Sequence, residues 1–178
     1  VLHLRITLIQ RNATMGGNMT DREETREKRH GSCHNSGFAA KVNSSMYHQC
    51  RSRGYAAPVD VLIDIGVLSK QKYDDWRFGR ARYLEAVCEV NLHKLSMIMH
   101  QIRVYAMQNN LKPSYCFYKQ WGTKKSGGQG KKNVIPLRFS KSGNEDIERW
   151  YSTHWVDSVR VEELKNERAE LNNNQKDG

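Results

Sequence analysis

The sequence predicts a mainly helical α+β domain, on three observations. Apolar residues recur at intervals of three and four over a long stretch from Leu84. Two alternating aromatic and aliphatic runs flank a glycine-and-lysine loop. Helix-start residues, Pro58, Ser69 and Asn144, stand just ahead of apolar positions. At 178 residues the chain suits one domain of about 100–130 residues with tails. A mean hydropathy of −0.80 implies a modest core under a very polar surface.

Residues 1–54 read as an extension or a disordered region. Leu2, Leu4, Ile6 and Leu8 alternate as a strand would, with no convincing partner nearby. Met15 and Met19 are candidate start sites, which would make the residues before them an upstream extension. Residues 10–54 carry few large apolar side chains, so loop or disorder is expected, with at most a transient helix from Thr20 to Arg29 capped by Thr20 and Glu23. From Pro58 the character changes. "PVDVLIDIG" has proline in its first turn and Gly66 as its stop, giving a short buried helix. A second short helix starts at Ser69, places Tyr73 and Trp76 three apart, and ends at Gly79. Leu84, Cys88, Asn91, Leu95, Ile98, Ile102 and Tyr105 then mark one face of a helix of about 28 residues, ended by Asn109, Asn110 and Pro113.

"SYCFYKQWG" reads as a strand with Tyr115, Phe117 and Trp121 on one side and Cys116 and Gln120 on the other. "VIPLRFS" is its partner in a β-hairpin, with Pro136 favouring an edge. The closing helix starts at Asn144 and carries Ile147, Trp150, Tyr151 and His154 along one stripe. Domain boundaries follow: 1–54 extension, 55–157 globular domain, 158–178 acidic and weakly helical tail.

Charge is the strongest functional signal. The net charge is +10, yet residues 112–141 alone hold eight Lys/Arg and no acidic residue, while residues 142–178 sum to −4. Surfaces normally interleave both signs, and an acid-free basic block attracts phosphate backbones. The candidate nucleic-acid contacts are therefore Lys119, Lys124, Lys125, Lys131, Lys132, Arg138 and Lys141, with Arg80 at the start of the long helix. Trp121 is expected to be buried against Phe139, with a stacking surface for unpaired bases as the alternative. A phosphate-cradling nucleotide loop is rejected, because Lys125 stands where its first glycine belongs and Lys132 where a magnesium-binding hydroxyl belongs.

Other chemistry is weaker. His30, Cys33, His34, His48 and Cys50 are zinc-ligand types, but they lack the paired spacing of a zinc module, so no metal is assigned. No cofactor is called for and no catalytic residue assigned. No apolar run approaches the roughly 18–20 residues that cross a bilayer, so no membrane role is expected and the cytoplasm is the default. Cys88 and Cys116 sit in apolar contexts that suggest reduced thiols.

The segments "DWRFGRARYLE", "YKQWG", "LRFSKSGN" and "YSTHWV" resemble an uncharacterised family of bacterial proteins over about residues 58–157. The resemblance implies a bacterial cytoplasmic protein and assigns no functional residue. The leading expectation is a non-catalytic nucleic-acid-binding protein, for DNA or RNA with weak sequence preference. The rivals are an enzyme acting on a phosphorylated substrate through Arg77, Arg80 and His93, and an interaction subunit whose acidic tail covers the basic hairpin of its own or a second copy.

Overall fold

Order along the chain follows the expected outline with three corrections. The computed structural model describes residues 21–123 and 134–174, with side chains from residue 37 to residue 173 within those stretches. Its elements are α1 (Asp21–Arg53), β1 (Tyr55–Ala56), α2 (Pro58–Asp64), α3 (Lys70–Arg77), a 3-10 turn (Leu84–Val87), α4 (Leu92–Gln108), β2 (Lys112–Tyr115), α5 (Glu145–Ser152), β3 (Thr153–Val156) and α6 (Ser158–Asn174). The mainly helical α+β class is therefore correct. The strands form one antiparallel sheet in the order β1-β3-β2, with Tyr55 opposite Val156 and Lys112 opposite the same Val156. The chain divides into Val1–Asn35 and Ser36–Gly178, and the hydrophobic core belongs to the second unit.

The first correction concerns residues 37–53, expected as loop. They are helical, and Val42, Met46 and Cys50, four apart on one face, are buried in the core. Three apolar residues suffice because polar side chains on the same helix also find partners. Ser45 and Gln49 both donate to Asp64 of α2, at 2.6 and 2.7 Å, and Arg53 pairs with Asp60 at 2.7 Å. Gln49 in turn accepts from the Ala57 amide at 3.0 Å. Composition alone gives no sign of this fit.

The second correction shortens the long helix. Leu84–Val87 is a 3-10 turn, and Asn91 opens α4 by accepting from the Lys94 amide. Between them the backbone bonds sideways: Leu84 and Glu85 amides donate to the carbonyls of Arg138 and Phe139, and the Glu89 amide donates to Val67. Leu84 and Leu95 nonetheless reach one core, on either side of the break. α4 then buries Leu95, Ile98, Met99, Ile102 and Ala106. It ends through Asn110, whose φ of +53° is a left-handed conformation that asparagine tolerates.

The third correction splits the closing helix. Asn144 caps it as expected, accepting from Asp146 and Ile147, but α5 stops at Ser152. Thr153–Val156, β-branched and aromatic, is instead the central strand, so His154 lies on the sheet. The expected hairpin arms do run antiparallel. The Gln120 amide donates to Ile135, the Leu137 amide to Tyr118, and Lys119 bridges Pro136. Their pairing is a short bridge, while the regular ladder is β2 with β3.

Candidate nucleic-acid interface

The end of α3 and the first hairpin arm are locked together by backbone and glycine. Trp76, fully buried, donates its indole N–H to the Arg138 carbonyl at 2.8 Å. One residue later the Arg77 carbonyl accepts from the Trp121 amide at 2.6 Å. The Phe78 carbonyl accepts from the Gln120 side chain at 3.1 Å. Gly79 sits at φ +75° with the Gln120 side chain only 2.5 Å from where a Cβ would lie, so this junction admits no larger residue without rearrangement.

This lock decides which side of the first arm faces water. Cys116, Tyr118 and Gln120 turn inward and are half-buried, whereas Tyr115, Phe117, Lys119 and Trp121 are exposed. Tyr118 takes the inner position because it packs edge-on against Phe139, lies near Trp76, and meets His154 through its hydroxyl at 2.8 Å. The expectation that Trp121 is buried against Phe139 is thereby corrected. Trp121 packs edge-to-face on Tyr73 and Phe78 and remains 36% exposed. The Arg77 guanidinium lies 4.2 Å from its ring centroid. Arg77 itself bonds the Tyr73 hydroxyl at 3.3 Å and leaves its Nε without a partner, so its charge is not neutralised by a carboxylate among the described residues.

Lys119 is exposed beside Trp121, where the two residues and Phe78 line a concavity of about 410 Å³. Arg138 is tied down: its Nη2 donates to the Ser140 and Lys141 carbonyls, closing the turn at Gly143. Lys141 is exposed, and its amide donates to Glu85. Arg80 is paired with Asp75 at 2.5 Å and rests near the Phe78 ring, so its charge is largely answered. Lys124, Lys125, Lys131 and Lys132 lie outside the described residues. The structure thus groups Lys119 with Arg77, Phe78 and Trp121, an arrangement the sequence reading did not assemble. The signal was present as an alternating Tyr-x-Phe-x-Lys-x-Trp, but alternation alone does not say which side is wet.

Glu148 anchors the second arm, accepting from the Phe139 and Ser140 amides and the Ser140 hydroxyl at 2.6–2.8 Å. A second concavity, about 360 Å³, lies between Tyr115, Phe117 and α5, with Glu145, Glu148 and Arg149 in its wall. Neither concavity includes Arg80 or His93, and His93 is exposed at the start of α4. His154 stacks on Tyr55 with ring centroids 5.3 Å apart. Burial lowers its pKa below the ordinary value near 6.5, only partly opposed by Asp60. Burial holds the Tyr118 hydroxyl protonated, and it shares a 2.8 Å hydrogen bond with His154 Nε2.

Burial also pushes the Cys88 thiol up to about 12 and Cys50 to about 11, so both stay protonated and unreactive at neutral pH. His48 and Cys50 leave opposite sides of α1, one exposed and one buried, and no metal-binding group of His, Cys, Asp or Glu occurs among the described residues. The side chains of His30, Cys33 and His34 lie outside the described set. The α6 carboxylates Glu163 and Glu167 bond Arg160, and Glu163 also faces Arg51 of α1. Among the described residues no helix is long and apolar enough to cross a membrane. No family model, curated protein or solved structure matches the chain.

Proposed function

We propose that this chain binds nucleic acid without catalysis, through phosphate contacts centred on the basic hairpin. The observation that carries the reading is the placement of Lys119 between exposed Phe117 and Trp121, within a segment of eight basic and no acidic residues. Lysines act as point charges on the backbone and give little base discrimination. Arg77 adds an unneutralised cation at the same end, whereas Arg138 and Arg80 are engaged within the protein and contribute less. The test replaces Lys124, Lys125, Lys131 and Lys132 by alanine and measures DNA and RNA affinity across salt by fluorescence anisotropy. Affinity falls alike for every sequence, and the log-affinity against log-salt slope flattens by about 3–4. Absence of salt-sensitive binding by the wild-type chain to any DNA or RNA overturns the reading.

A further inference from the structure

From the geometry of the first hairpin arm we infer that the polymer is single-stranded, with unpaired bases stacking on Phe117 and Trp121 while Lys119 holds the intervening phosphate. This rests on the nucleic-acid reading above and narrows it to one class of ligand. Exposure supplies the first support. Large aromatic rings seldom stay in water, yet Tyr115 is 62% and Phe117 57% exposed, and Trp121 keeps over a third of its surface open. They alternate in exposure with the half-buried Cys116, Tyr118 and Gln120, from the end of β2 through the bridge residue Lys119 to Trp121. Such a row offers consecutive ring surfaces to consecutive bases. A duplex cannot use it, because its bases are already stacked on one another.

Preorganisation supplies the second support. Trp121 is held by its amide bond to Arg77, by Tyr73 and Phe78 at its edges, and by the guanidinium over its ring. A ring fixed in this way loses little rotamer freedom when a base settles on it. Charge supplies the third and orients the strand. Among the described residues, Lys119 is the one charged side chain lining the concavity at the Trp121 end, while the concavity beyond Phe117 carries Glu145, Glu148 and Arg149. Phosphates are therefore drawn to the Lys119 and Arg77 end, and the mixed-charge wall at the other end is left to base edges.

The test compares an oligo-dT and an oligo-U with a DNA duplex of equal phosphate number, at one salt concentration. The variants are Phe117→Ala and Tyr115→Ala, both at exposed positions, with circular dichroism as the fold control. The wild-type chain prefers the single strands, and Phe117→Ala lowers single-strand affinity roughly 5- to 150-fold while leaving the duplex unchanged. Tyr115→Ala acts in the same direction. As a second readout, oligo-dT quenches tryptophan emission in the wild-type chain, and Trp121→Phe removes most of that quenching at saturating oligo-dT. Equal loss for duplex and single strand, no loss for either, or quenching that persists in Trp121→Phe overturns the stacking inference. If the lysine variant still flattens the salt slope in that event, the phosphate reading stands alone. If the wild-type chain binds no polymer, both fall.

Discussion

Two side chains outside the basic arm set how firmly the arms are held, and each has a measurable signature. Glu148 satisfies two backbone amides and one hydroxyl at the second arm. Replacing it with glutamine points an amide donor at groups that are themselves donors. Glu148→Gln is therefore expected to cost about 2–3 kcal/mol in urea denaturation, since orphaned buried donors keep their desolvation cost. His154 responds to pH. Its folded pKa lies below the unfolded value near 6.5, so the unfolded chain binds the proton more tightly. Its contribution is intact above pH 6.5 and is lost as pH falls from there through the folded value. Between pH 7.5 and 5.5 the wild-type urea midpoint should decline, and His154→Gln should decline less steeply. Equal slopes would show that another group titrates. The rings of Tyr55 and Tyr118 around His154 explain why water does not restore the charged form there.

Among the elements, those with local signals were legible and those with distant partners were not. Pro58, Ser69 and Asn144 start α2, α3 and α5 where the sequence places them, because a cap acts within three residues. α1 was missed since Asp64, the partner of Ser45 and Gln49, lies beyond the helix end. The break before α4 was hidden by the spacing of three and four that runs on in the sequence from Leu84 to Leu95, and β3 was masked by an accidental helical stripe through His154. In the candidate site, the alternation from Tyr115 to Trp121 was readable, but its orientation depended on Tyr118 finding Phe139 and His154. The reassigned α1 makes a sharp test. Met46 is fully buried, so Met46→Ala should lower stability by about 2–5 kcal/mol. A chain begun at Tyr55, which lacks Val42, Met46 and Cys50, should not fold cooperatively. A null effect of Met46→Ala would return residues 37–53 to the status of a loosely attached segment.

Across the whole molecule the charge is segregated rather than mixed. The acid-free span 112–141 runs through the hairpin, while the α6 carboxylates bond Arg160 and face Arg51. The sheet imposes a different kind of order. Its central strand, Thr153–Val156, is the last to appear in the chain, and both outer strands depend on it for every regular ladder contact. During synthesis, Tyr55–Ala56 and Lys112–Tyr115 leave the ribosome long before the strand that joins them exists. The nascent chain therefore waits with two open edges, and it closes them only when Thr153–Val156 emerges. Closure of such distant pairs is slow, on the order of milliseconds to seconds for sheet-dependent topologies. A chain ended at Ser152 should be cut rapidly by a nonspecific protease, and one ended at Asn174 should resist. Stalling translation between those two lengths should show protection arriving in one late step, once the central strand has emerged and both of its neighbours can pair with it.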